Sequence, residues 1–161
     1  MRLAELDVVV PAGERIVLDS SVLIAYFTGG EATSGAAARI VDGWLRAGRN
    51  AAIVSAVSVM ECLVRAARLP GSDVDALATF FEHWPNLAVV DVDTAIARSA
   101  ATLRATLNLA PPDALILGTA SVAAVAGGRV HVITGDRRWQ RASASIPASI
   151  SVVYLHDQID A

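Results

Sequence analysis

The sequence predicts an α/β fold: a mainly parallel central sheet of about five strands with helices on both faces. Three observations lead there. Five short apolar runs rich in β-branched residues are spread along 161 residues. Segments with helical spacing separate them. Most of the runs lack polar alternation, as strands covered on both faces do. A strand, one or two helices, and a strand again, repeated, implies parallel strands joined by crossovers.

In chain order, Arg15–Leu18 (RIVL) is the first strand, and the apolar stretch Val22–Phe27 anchors a helix behind it. Thr33–Ala47 is helical, with Ile40, Val41, Trp44 and Leu45 on one side. Ala51–Val54 is the second strand. The helix Ala56–Leu69 follows and carries Val57, Met60, Leu63 and Val64. Ser72–Trp84 opens on Ser72 with Asp75 three residues later, a capping-box pattern. Leu87–Val90 is the third strand, and Asp93 can cap the helix that runs to Leu107. Pro112–Val125 starts after a proline pair. Val130–Ile133 is the fourth strand, Asp136–Ser143 a short helix and Ser151–Leu155 the fifth strand. The first residues fit least well, because Val8–Val10 reads as an extra edge strand or a loose arm. The chain is therefore expected to divide into an N-terminal extension or arm, residues 1–14, and a single domain over residues 15–161.

Composition narrows the function. The chain is 54% hydrophobic, enough for one compact domain with a real core. No apolar run is long enough to cross a bilayer, and MRLAELDVVVPAGER lacks the apolar core of a signal peptide, so no membrane role and a cytoplasmic location are expected. Cys62 is the single cysteine, which excludes an intrachain disulfide and a cysteine-based zinc site. His83, His131 and His156 are scattered, which argues against an imidazole-built metal site. The formal charge of −3 argues weakly against a nucleic-acid binder. All 13 basic residues are arginine, which suits bidentate contacts to phosphate or carboxylate and also suits a GC-rich genome.

In open parallel sheets ligands bind beyond the carboxyl ends of the strands. Acids recur there. Asp19 directly follows the first strand, Glu61 lies about two turns into the helix after the second, Asp113 opens a helix, and Asp136 follows the fourth strand. Like charges gathered in one cleft raise one another's pKa, and a divalent cation removes that conflict. Carboxylate oxygens suit hard ions such as Mg²⁺ or Mn²⁺, which activate water and stabilise charge on a phosphodiester. Taken singly, each acid has a plainer reading. Asp19 and Asp136 can cap helices, Glu61 can pair with Arg65, and Asp113 can be a first-turn acid. Asp91 and Asp93 also follow a strand, and both keep the plain reading. Without the four site acids, 13 arginines face 12 acids, so the acidic balance comes partly from the site itself.

The segments IVLDSSVLIAYF, VSAVSVMECL, PPDALILGTA and VITGDRRW resemble, in order and spacing, those of PIN domains, and more closely those of the toxin in VapBC-type toxin–antitoxin pairs. The likeness spans roughly Arg15 to Leu155. It implies a PIN-like three-layer α/β/α fold and a Mg²⁺- or Mn²⁺-dependent endoribonuclease. Asp19, Glu61, Asp113 and Asp136 match the family's acidic positions. Ser20 or Ser21 matches the small polar residues after the first acid, and Thr134 a hydroxyl residue before the last. The likeness further implies a transfer- or ribosomal-RNA substrate, a homodimer and a VapB-type antitoxin partner. The chain departs from the pattern in the residues before Arg15, since such toxins commonly start within a few residues of the first strand. Two other functions stay open: RNA processing without an antitoxin, and a catalytically silent PIN-like binding module. An Asp-nucleophile phosphatase is disfavoured, because DSSV lacks a second Asp two residues on.

Arg137 and Arg138 can grip a phosphate beside the acids, or partner those acids when no metal is bound. Trp139 is expected in the core or in helix packing, with base stacking as the alternative, and Cys62 as a small buried apolar residue. Arg39, Arg46 and Arg49 read as a solvated helix face or an RNA track.

Overall fold

The computed structural model describes residues 3–158; the ends of the expected extension and of the expected domain, residues 1–2 and 159–161, lie outside the described residues. Five strands form one sheet: β1 (Arg15–Leu18), β2 (Ala52–Ser55), β3 (Leu87–Val90), β4 (Val130–Thr134) and β5 (Ile150–Tyr154). Their order is β3-β2-β1-β4-β5, and every pairing is parallel. The chain first builds outward from β1 to β2 and β3, then returns to place β4 on the other side of β1. That reversal makes the carboxyl ends of β1 and β4 a topological switch point, the usual place for a ligand crevice.

The helices are α1 (Leu3–Val9), α2 (Ser20–Thr28), α3 (Ser34–Ala38), α4 (Ala56–Ala67), α5 (Val74–His83), α6 (Thr94–Leu107) and α7 (Pro111–Gly127). They form two layers. On one face, residues of α1 to α5 pack with Ile16, Leu18, Val54 and Ile133. On the other, α6 and α7 pack with Val17, Val130 and Val132. Alternation along β1 therefore sends Val17 to one core and Ile16 and Leu18 to the other, which is why these strands carry no polar face. The edge strand β3 is the exception: Val89 is 40% exposed.

Several sequence expectations move by a turn or a face. The Thr33–Ala47 segment is helical, but α3 passes into wider π-type turns over Arg39–Leu45. Ile40, Val41, Trp44 and Leu45 all face the core from those turns, as their spacing suggested. On α4 the buried residues are Ser58 and Cys62, while Met60 and Val64 lie at the surface, so of the apolar stripe read from sequence Leu63 packs on the core and those two do not. The cap of α5 is Asp73, which accepts from the Ala76 N–H at 2.9 Å, and not Ser72. Asp93 caps α6 through the Ile96 N–H at 2.8 Å, the plain role expected of it.

Val8–Val10 is neither an edge strand nor a loose arm: α1 docks on the first core layer, with Leu6 and Val10 fully buried. Asp7 binds Arg39 and accepts from Trp44 Nε1 at 2.7 Å. The Arg49 guanidinium donates to the carbonyls of Asp7 and Val10 and lies over the Trp44 ring. Arg46 stacks over Trp84 and pairs with Asp42. These arginines fasten the fold. Among the described residues no helix is long and apolar enough to cross a membrane.

Candidate functional site

Asp19 sits where β1 gives way to α2, at the helix N-cap position with extended backbone (φ −72°, ψ 153°), yet its side chain makes no capping bond. The carboxyl turns inward instead and is only 5% exposed. Its Oδ2 accepts from Ser21 Oγ at 2.5 Å and from Thr134 Oγ1 at 2.8 Å. Both hydroxyls are themselves held. The Gly135 N–H donates to Ser21 Oγ at 2.8 Å, and the Asp136 N–H donates to Thr134 Oγ1 at 2.9 Å. The ends of β1 and β4 are thus laced together through Asp19. Burial pushes the Asp19 carboxyl above its usual range, and the hydrogen bonds from Ser21, Thr134 and the Ser20 N–H oppose that. Of the two serines read as alternatives, Ser21 supplies the side-chain contact and Ser20 its backbone.

Asp136 is half-buried. It caps the short helical turn Arg137–Arg141 by accepting from the Arg138 N–H at 2.8 Å. The Arg138 guanidinium binds the same carboxylate and holds it below the ordinary range. The capping role and the site role therefore coexist in one side chain.

Asp113 lies in the first turn of α7, just after Pro111 and Pro112. Its pKa is pushed up to about 6, first by burial, then by the charge of Asp19, with Asp136 adding to it. Arg138 and the Trp139 indole N–H oppose the rise. Trp139 is fully buried, with its indole N–H directed at the Asp113 carboxylate. Asp19, Asp113 and Asp136 thus feel one another's charge across the switch point.

Glu61 lies on α4, and both it and Asp19 act on the charge of the Cys62 thiol between them. Glu61 is half-buried, in a groove it shares with Met60, Arg65 and Arg68, and no ion pair joins it to Arg65 among the described contacts. Its link to the site runs past Cys62, which is buried and pushed up to about 12, first by burial and then by the charges of Asp19 and Glu61. The Cys62 Sγ lies 4.0 Å from the Ser20 carbonyl oxygen.

The donor set is all carboxylate oxygen, which fits a hard divalent cation. The like-charge conflict at Asp113 is what such an ion would relieve. Among the described residues, no three His, Cys, Asp or Glu side chains are gathered tightly enough to enclose an ion. Arg138 occupies the Asp136 carboxylate.

Sequence reading missed the wall beside Asp113. The α6–α7 loop turns on Asn108, which has left-handed backbone (φ 52°), and Asn108, Leu109 and Arg141 line a cavity with Asp113, Arg138 and Trp139. The signal available was NLAPPD, a turn residue close before a proline pair, next to an acid already singled out.

The PIN domain family model matches residues 16–144. No curated protein sequence matches the chain. Among solved structures, a toxin–antitoxin complex from Klebsiella pneumoniae is 23% identical, covering 87% of this chain and 97% of that one, with a TM-score of 0.59. VapBC2 from Rickettsia felis, bound to a promoter DNA fragment, is 12% identical with a TM-score of 0.62, covering 87% and 98%. The sarcin–ricin-loop-cleaving toxin VapC20 from Mycobacterium tuberculosis is 16% identical with a TM-score of 0.60, covering 82% and 96%. At such identities these structures show the fold.

Proposed function

The chain belongs to the PIN domain family, and on that premise we propose that it is a divalent-metal-dependent endoribonuclease acting as the toxin of a VapBC-type pair. One observation carries the reading: Asp19, Asp113 and Asp136 are coupled in charge at the switch point of an all-parallel sheet.

Asp19, Asp113 and Asp136 would hold Mg²⁺ or Mn²⁺, with Glu61 as a fourth acid assigned by the family pattern. A bound ion supplies a water of lowered pKa and neutralises charge on the phosphodiester. The residues of the chain prepare for this in different ways. Thr134 and Ser21 fix the Asp19 carboxylate by two hydrogen bonds, so its oxygens need no reordering. Asp136 stays ionised through Arg138. Asp113, at about 6, can hold or release a proton near neutrality. Arg138 is 80% exposed at its side chain and lies beside all three acids, where it can pass from carboxylate to substrate phosphate.

RNA as substrate, a VapB-type antitoxin, a homodimer and a cytoplasmic setting belong to the same proposal. The neighbours described as VapBC or toxin–antitoxin complexes support the antitoxin. The test is cleavage-site mapping on total RNA with purified protein and Mn²⁺, beside Asp19→Asn and Asp113→Asn. Metal-dependent cuts that vanish in both variants are expected; cuts that persist undiminished would overturn the reading. Growth arrest on expression, relieved by a neighbouring small reading frame, separates a toxin from an RNA-processing enzyme.

A further inference from the structure

Beside the acids lies a cavity of about 320 Å³, walled by the α6–α7 loop on one side and the Arg137–Arg141 turn on the other. Its size sits at the small end of ligand pockets, roughly 300–1,000 Å³, which suits one nucleotide unit and not a duplex. We propose that this cavity is a nucleotide subsite, which takes one phosphate-bearing ribonucleotide of the strand next to the bond being cut. The inference rests on the nuclease reading and adds where the strand is read.

Three features of the lining converge on that ligand. Arg138 and Arg141 line the cavity, and arginine is the side chain suited to planar, bidentate contact with phosphate. Arg141 is exposed and has no carboxylate partner among the described residues. Asn108 offers an amide with two donors and an acceptor, the chemistry that reads a base edge. Its side chain forms no hydrogen bond among the described residues, although its backbone is fixed: its N–H donates to the Arg104 carbonyl, and Arg104 Nε in turn donates to the Leu109 carbonyl at 3.2 Å. Leu109 and Trp139 supply apolar wall.

Position supports the same ligand. Asp113 belongs both to this wall and to the acidic trio, so an occupant would lie directly against the reacting centre. A free acidic peptide would satisfy the arginines but would leave the Asn108 amide and the apolar wall without a matching base.

Two measurements test the subsite. The first titrates the protein with each of the four nucleoside 5′-monophosphates, following the indole N–H resonance of Trp139, assigned with Trp139→Phe. At least one nucleotide should shift that resonance, and Arg141→Gln should weaken the binding roughly tenfold, the scale of a lost charge-assisted hydrogen bond. No shift with any of the four overturns the subsite, whether or not the protein cleaves RNA. The second compares cleavage of short RNA oligonucleotides. Asn108→Gly keeps the left-handed backbone and removes only the amide, so it should change the base preferred beside the cut. Arg141→Gln should raise KM more than it lowers kcat. Unchanged KM and unchanged base preference in these variants, with metal-dependent cleavage intact, sink the subsite and leave the nuclease reading standing. Absence of cleavage by the unaltered protein sinks the nuclease reading, and the nucleotide titration then decides the cavity alone.

Discussion

Arg138 reaches back two residues to hold both carboxylate oxygens of Asp136: its Nε lies 3.0 Å from Oδ1 and 2.7 Å from Oδ2, and a terminal nitrogen lies 2.5 Å from Oδ2. An ion that binds Asp136 must displace that guanidinium or share the carboxylate with it. Arg138→Gln should therefore bind Mn²⁺ more tightly, by about two- to fivefold, the range of a solvent-exposed ion pair. Titration calorimetry checks this in the absence of RNA. Weaker Mn²⁺ binding by the variant would show that Arg138 helps to build the metal site.

Thr134 is the joint between Asp19 and Asp136, since its hydroxyl donates to one and accepts from the backbone of the other. Thr134→Val keeps the shape and removes both bonds. Two groups lose a partner, one of them a buried carboxylate, so a loss of about 1.5–3 kcal/mol is expected. Urea unfolding of the metal-free protein measures it. A change within 0.5 kcal/mol, about the size of an ordinary surface substitution, would contradict the buried network.

How much of this was legible in sequence varies with the range of the interaction. The strands were readable because β-branched runs buried on both faces leave a local mark, as Ile16–Leu18 and Val130–Ile133 do. The places of Asp19, Asp113 and Asp136 were readable because each follows a strand or opens a helix. The partner of each acid was not, because Thr134 meets Asp19 across 115 residues and only the fold brings them together. The docking of α1 depends on arginines at 39 and 49 finding Asp7 and its neighbours, contacts with no periodic signature.

The raised pKa of Asp113 makes the stability of the metal-free protein depend on pH. Its folded pKa, about 6, lies above the ordinary 3.8, so the folded state holds this proton more tightly than the unfolded chain. The resulting stability is fully present below about pH 4 and is lost as pH rises through about 6. Asp113→Asn removes that dependence and should stabilise the metal-free protein at pH 7.5 by about 1–2 kcal/mol, allowing for solvent screening of a partly exposed group. Melting curves in chelator from pH 4 to pH 8 test the slope. A variant that follows the unaltered protein across that range would remove Asp113 as its source.

Gly118 faces α6 from the middle of α7, and a Cβ there would lie 2.8 Å from the Ile96 carbonyl oxygen and 3.0 Å from the Ala100 backbone nitrogen. Those are backbone atoms in a packed helix pair and cannot step aside as a side-chain tip can. Gly118→Ala should part the two helices and cost about 1–3 kcal/mol, against the gain in helix propensity that alanine normally brings. An increase in Tm would show that the α6–α7 contact is looser than this spacing requires.

Leu6 gives the sharpest test of whether α1 is an appendage or a working part of the fold. It is fully buried in the core layer that also contains Leu18, Leu23 and Leu45, although it precedes the first strand by nine residues. A loose arm would tolerate its truncation. A core residue would not, because Leu6→Ala removes apolar contact and leaves a void that the Arg49 and Asn50 side chains prevent from closing. Those two side chains pin the following segment through the carbonyls of Val10, Pro11 and Glu14. The expected loss is about 2–4 kcal/mol. Asp7, one residue on, sharpens the outcome. Arg39 and Trp44 hold its carboxylate below the ordinary range, so its share of the docking is present at neutral pH and fades as the solution is acidified toward pH 3. Hydrogen exchange at residues 6–10 should accordingly quicken in Leu6→Ala at pH 7, and in the unaltered protein on acidification. Exchange already fast in the unaltered protein at pH 7 would place α1 outside the cooperative core.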